Sequence, residues 1–159
     1  MTFDPGEADD LNFAPRFRDR FVAVLPAGHA LLSRKNLKWR ELKKHPYLAL
    51  QRPSSIRRLI DTALLKHNIS LLPAFEAHQP ASIGRMVTAG LGVSVVPALS
   101  ISQMEEMGAE CRPLSGPVIT RELGVITRKR QPLSAAAQAM LEVIARWADP
   151  ASPTHLTSP

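Results

Sequence analysis

The stretch Ile83–Leu99, IGRMVTAGLGVSVVPAL, leaves this chain the fewest choices. Ile83, Met86, Val87 and Leu91 recur at helical spacing, which predicts a helix with one face on a core as far as Gly90. A glycine at that point takes the left-handed backbone conformation that stops a helix. Gly92 keeps the turn tight, and Val93, Val95 and Val96 form a β-branched run closed by Pro97, the pattern of a buried strand that cannot extend further. A helix, a glycine turn and a buried strand in succession belong to an α/β fold.

Charge and composition narrow the function classes. The 159 residues carry 20 Lys and Arg against 14 Asp and Glu, a formal net charge of +6 that invites a nucleic-acid reading. The distribution opposes it. Basic residues sit apart, as RFRDR at 16–20, RKNLKWRELKK at 34–44, RR at 57–58 and RKR at 128–130, with acids between several of them. Solvated faces and an anionic ligand account for them better. Aromatic residues make up 5% of the chain, too few for a base-stacking platform, and no helix-turn-helix or zinc-ligand spacing occurs.

With 45% hydrophobic residues the chain can bury a core, yet no apolar run is long enough to cross a bilayer. The N-terminus MTFDPGEADD is acidic where a secretory signal is basic. A cytoplasmic location without membrane contact is therefore expected. The lone Cys111 can form no internal disulfide and no thiolate metal site by itself, and no cofactor or metal is expected. No G-x-S-x-G elbow, P-loop, G-x-G-x-x-G or H-E-x-x-H is present. Glu105 and Glu106 are neighbours on a helix, where adjacent residues point apart, so catalysis is the weakest reading.

Along the chain, Leu11–Ala14 reads as a short strand and Phe21–Leu25 as a clear one, stopped by Pro26-Ala27-Gly28. His29, in a turn with no fixed carboxylate neighbour, reads as structural. Tyr47–Leu50 suits a central parallel strand ended by Gln51-Arg52-Pro53. The helix that follows has Ser54 or Ser55 as N-cap and an apolar stripe of Ile56, Leu59, Ile60, Ala63 and Leu64, with a left-handed Asn68 at its close. Open α/β sheets bind ligands beyond the carboxyl ends of their strands, where helix N-termini present free N–H groups. Arg52, Ser54 and Ser55 are therefore candidate contacts, and a carboxylate gains about 0.3–1 kcal/mol from such a helix end.

Leu71–Ala77 reads as the next strand, which Pro73 restricts to a pairing that spares one N–H. His78-Gln79-Pro80-Ala81-Ser82 makes a second strand-to-helix junction on the same edge, with Pro80 suited to a first helical turn. Beyond Pro97, Leu99–Met107 reads as a polar-faced helix, and Glu110–Leu114 and Arg121–Arg128 as strands. Leu133–Trp147 is an amphipathic helix with Ala137, Met140, Leu141, Ile144 and Trp147 on one face.

The wording TAGLGVSVVP resembles the "V-AAGLGV-VVP" segment of the effector-binding domain of LysR-type transcriptional regulators. FRDRFVAVLPAGHALLSRKNLKWRELKKHPYLAL resembles the family's preceding segment, and RELGVITRK its second hinge strand. The resemblance implies an α/β, type 2 periplasmic-binding-protein-like fold with one complete lobe and part of another joined by two hinge strands. The complete second lobe is expected over 24–124, the partial first lobe over 1–23 and 125–148, and a disordered tail over 149–159.

The resemblance also implies a function: binding a small-molecule effector, an organic anion being the favoured class, between the lobes to modulate transcription. His78, Gln79 and Ser82 then join Arg52, Ser54 and Ser55 on the wall supplied by the second lobe. The family's winged helix-turn-helix and most of its first lobe have no counterpart here, so DNA is expected to be contacted only through a helix-turn-helix domain missing from this chain. Self-association is expected through the uncovered apolar face of the last helix. The alternatives are a stand-alone cytoplasmic solute-binding protein of the same fold and a small-molecule enzyme.

Overall fold

The computed structural model describes residues 9–147, so the tail expected to be disordered lies outside the described residues. By internal contacts the chain divides into two compact units, Asp19–Thr120 and the described part of Met1–Arg18 with Arg121–Pro159.

The two short strands expected near the N-terminus are one, β1 (Leu11–Pro26). They merge because the two-residue alternation runs on through RFRDR: Arg16, Arg18 and Arg20 are exposed, whereas Asp19 and Phe21 are buried. After a 3-10 turn at Ala30–Ser33 come β2 (Leu37–Lys38), the short helix α1 (Trp39–Leu42) and β3 (Tyr47–Leu50). The helix α2 (Ser55–Leu65) leads to β4 (Pro73–Ala77), and α3 (Pro80–Thr88) to β5 (Val93–Pro97). The next helix, α4 (Ile101–Glu106), is entered by a 3-10 turn at Ala98–Ser100 and is shorter than its sequence suggested. It leads to β6 (Ala109–Ser115).

Within Asp19–Thr120 the strands lie in the order β2-β6-β1-β5-β3-β4. β3 is parallel to both β4 and β5, and β1 is antiparallel to β5 and β6. Alternate strand residues supply two cores. Ala23, Leu25, Ala49 and Val95 pack with Trp39, Leu42, Ile60 and Leu64 on one face. Val22, Val24, Leu48 and Val96 pack with Ile83, Val87 and Met104 on the other. Hence α2 and α3 cover opposite faces. β4 stands at the edge of the sheet with Pro73 at its head, the placement that a residue without an N–H requires.

The helices α2 and α3 end in the same way. Gly90 at φ 76° donates its N–H to Val87 O at 2.8 Å, and Leu91 donates to Met86 O at 3.1 Å, a Schellman closure. Asn68 at φ 55° and Ile69 repeat it on Leu65 and Leu64. Leu91, expected on the helix stripe, therefore falls past the helix end and is 44% exposed. Gly92 is needed for a different reason: a Cβ there would overlap the Pro46 carbonyl oxygen, which accepts the Val93 N–H at 2.9 Å.

In the other unit, β7 (Thr120–Arg128) pairs with β1. Gly124 is buried where a Cβ would meet the Phe13 ring at 2.6 Å. The last helix, α5 (Ala135–Trp147), has no fully buried residue through Arg146; Leu141 and Ile144 are half-buried, and Met140 and Val143 are exposed.

Candidate functional site

The ladder between β3 and β4 ends at Leu50 opposite Ala77, and the Gln51 N–H extends it by donating to Ala77 O at 3.0 Å. From this shared edge the chain leaves twice, at Gln51 toward α2 and at His78 toward α3. The path runs from β3 outward to β4 and back across β3 to β5, with helices on opposite faces. Such a reversal leaves a crevice at the carboxyl ends of the strands. Ser54, Ser55, His78, Gln79 and Ser82 all belong to these two junctions.

Ser54 and Gln79 occupy the N-cap positions of α2 and α3, yet neither side chain caps its helix. This corrects the expectation that a serine caps α2. The Ser54 N–H closes a turn onto Gln51 O at 3.0 Å, which sets the backbone, while its hydroxyl makes no bond to the first-turn N–H groups. Those donors are left for solvent or an acceptor. Ser55, His78, Gln79 and Ser82 are exposed and Ser54 is half-buried. Arg52 is exposed too, but it lines a groove on the flank of α2, together with Arg57, Asp61 and Glu76.

Arg57 was hidden in the sequence as half of a solvated RR pair. Its side chain is 4% exposed, with Nε donating to Asp61 at 2.7 Å and Nη1 donating to Glu76 at 3.0 Å and to Leu50 O at 3.1 Å. The bond to Leu50 O ties α2 to the last residue of β3. Burial opposes its charge, and the hydrogen bonds of Asp61 and Glu76 outweigh that opposition, so its pKa is raised. Burial also keeps the neighbouring Tyr47 phenol neutral, well above its usual pKa. The i,i+4 spacing of Arg57 and Asp61 was the available signal.

Cys111 is half-buried, and burial, then the Glu105 carboxylate, pushes its thiol up to about 11. A thiol so perturbed is a poor nucleophile. His29 supplies Nδ1 as acceptor for the Leu31 N–H at 3.2 Å, and its ring meets His45 edge-on at 4.7 Å. Among the described residues no three His, Cys, Asp or Glu side chains gather as a metal site would need. None of the described helices is long and apolar enough to cross a membrane.

Residues 1–149 match the LysR substrate binding domain. The chain belongs to this family. A regulator from Shigella flexneri, the uncharacterized HTH-type transcriptional regulator YfeR, is 30% identical over 144 residues, covering 91% of this chain and 46% of that protein. The transcriptional activator protein LysR of Escherichia coli strain K12 is 33% identical over 118 residues, covering 74% of this chain and 38% of the activator. The chain thus spans about half the length, or less, of these curated relatives. Among solved structures, the regulatory domain of CcmR from Synechocystis PCC6803 in complex with 2-PG superposes with a TM-score of 0.81 at 18% identity, covering 95% of this chain and 73% of that one. The likeness establishes the type 2 periplasmic-binding-protein-like fold for this LysR-family domain.

Proposed function

We propose that the chain is the effector-sensing part of a LysR-type transcriptional regulator and that Arg52, Ser54, Ser55, His78, Gln79 and Ser82 contact the effector from the Asp19–Thr120 unit. One observation carries this reading: two helices begin at one edge of the sheet with N-cap side chains that leave their first-turn N–H groups unspent. Such donors favour an anion, and an organic acid supplies it. CcmR was solved with 2-PG, and the effector-binding domain of QuiR with shikimate, which agrees with a small-molecule ligand for this chain.

In this reading the units are the two lobes. DNA contact belongs to a helix-turn-helix segment outside these 159 residues, the protein acts in the cytoplasm as an oligomer, and it performs no catalysis. A ligand shifts such a regulator only by binding its two arrangements unequally. The test is a panel of small organic acids scored by thermal stabilisation, followed by calorimetry on the best binder. A ligand at 100 times its Kd stabilises by about 2.7 kcal/mol. Ser55→Ala and Gln79→Ala each remove about 1 kcal/mol, or roughly fivefold in affinity, at unchanged unfolding midpoint. Unchanged affinity in both variants removes these residues from the site.

A further inference from the structure

The flank of α2 and the connection into β4 form a groove that the proposed effector site does not use, apart from Arg52 at its rim. We propose that this groove binds an α-amino acid with an apolar side chain, held as a zwitterion. Its volume is about 370 Å³, at the lower end of small-molecule sites.

One wall is apolar. Leu64 and Leu71 are buried beneath it, while Leu65 is 72% and Leu72 83% exposed. The lining also carries two cations and two anions with bonding capacity left over. Arg57 spends Nε and Nη1 on Asp61, Glu76 and Leu50 O, and its Nη2 meets no partner among the described residues. A guanidinium so buried and incompletely bonded wants a further acceptor. Arg52 makes no hydrogen bond or ion pair to any described residue. Asp61 uses only Oδ2 and Glu76 only Oε1, and both carboxylates are about one-third exposed, at 34% and 38%.

The charges lining the groove sum to zero, which selects among ligands. A simple carboxylate would meet Arg52 and Nη2 but face Asp61 and Glu76; a simple amine would meet the reverse. A zwitterion places its carboxylate on Arg52 and Arg57 and its ammonium on the free oxygens of Asp61 and Glu76. An aliphatic side chain then covers Leu65 and Leu72, removing their apolar surface from water.

The test titrates the whole chain with L-leucine, with isovalerate, which lacks the ammonium, and with isoamylamine, which lacks the carboxylate. Methyl resonances of Leu65 and Leu72 and the Arg57 Nε–H report the groove; amides of Ser55 and Gln79 report the sheet edge. L-leucine is expected to move the first set and leave the second in place, and both truncated probes to bind at least about tenfold more weakly. Leu72→Glu, at an exposed position that folding tolerates, is expected to weaken L-leucine at least about tenfold. Isovalerate binding as well as L-leucine, or shifts at Ser55 and Gln79 instead, overturns the proposal. So does a chain whose dimer Leu72→Glu dissociates while L-leucine moves no groove methyl, since the flank then holds a second copy.

Discussion

Replacing Gly92 by alanine should be among the most damaging single-methyl additions in the Asp19–Thr120 unit, and the reason can be worked from distances. The added Cβ would overlap the Pro46 carbonyl oxygen and lie 3.0 Å from the Pro46 carbonyl carbon and 3.1 Å from its Cβ. All three atoms are backbone or proline ring, which cannot rotate away. That oxygen also accepts the Val93 N–H at 2.9 Å, where Tyr47 and Val93 begin the parallel pairing of β3 with β5. Relieving the overlap therefore separates the two strands at their start. Forced overpacking costs about 1–3 kcal/mol, and loss of the hydrogen bond adds about 1 kcal/mol.

Gly90→Ala is the internal control. It sits two residues earlier at φ 76° with nothing within 4 Å of the place an added methyl would take, so it bears only the left-handed backbone cost of about 1–2 kcal/mol. Urea unfolding should give Gly92→Ala a midpoint clearly below that of Gly90→Ala, with equal slopes. Hydrogen exchange at the Val93 amide should accelerate in Gly92→Ala alone. A Gly92→Ala variant as stable as Gly90→Ala, with Val93 still protected, would refute the reasoning.

Other expectations are as direct. Arg57→Ala should cost about 1.5–3 kcal/mol, from the lost charged hydrogen bonds and the vacated space, because Asp61 and Glu76 are exposed enough for water to take over part of their solvation, whereas Arg57→Met, which refills the space, should cost less; chemical denaturation of both checks the order. Burial, with His45 second, lowers the His29 pKa below its ordinary 6.5. The folded state therefore holds fewer protons than the unfolded, and stability should decline as pH falls through 6.5 toward the lowered value. His29→Asn, which keeps an acceptor for Leu31 N–H without the titration, should flatten that decline in pH-dependent melting. With its thiol near 11, Cys111 should react slowly with iodoacetamide at neutral pH, and unfolding should restore ordinary reactivity.

Legibility followed the range of the forces involved. Gly90, Asn68 and the valines of β5 act through backbone conformation and branching at one position, and those features stood in the sequence as they stand in the fold. The shared edge of the two junctions was also legible, because strand-helix-strand units place successive strand ends together. Arg57 was not: its burial depends on Glu76, nineteen positions away on β4, as much as on Asp61 one turn along. The free Ser54 hydroxyl was invisible for a related reason. Residue type says that serine can cap, but the turn closed onto Gln51 decides where its oxygen lies. The unity of β1 escaped because RFRDR looks solvated when its charges are counted and strand-like only when its alternate residues are separated.

Standing at the margin of the sheet, β4 has one flank of backbone groups without a neighbouring strand among the described residues, and Phe75 beside them is 48% exposed. A bare margin of this kind can recruit like segments and grow laterally into aggregates, and charge and proline are the usual brakes. Here the brakes are Glu76 and Pro73. Exchanging Pro73 for threonine would restore an amide at the head of the strand and release one of them, so the shelf life of concentrated solutions rests in part on a residue remote from every proposed ligand contact in the junctions.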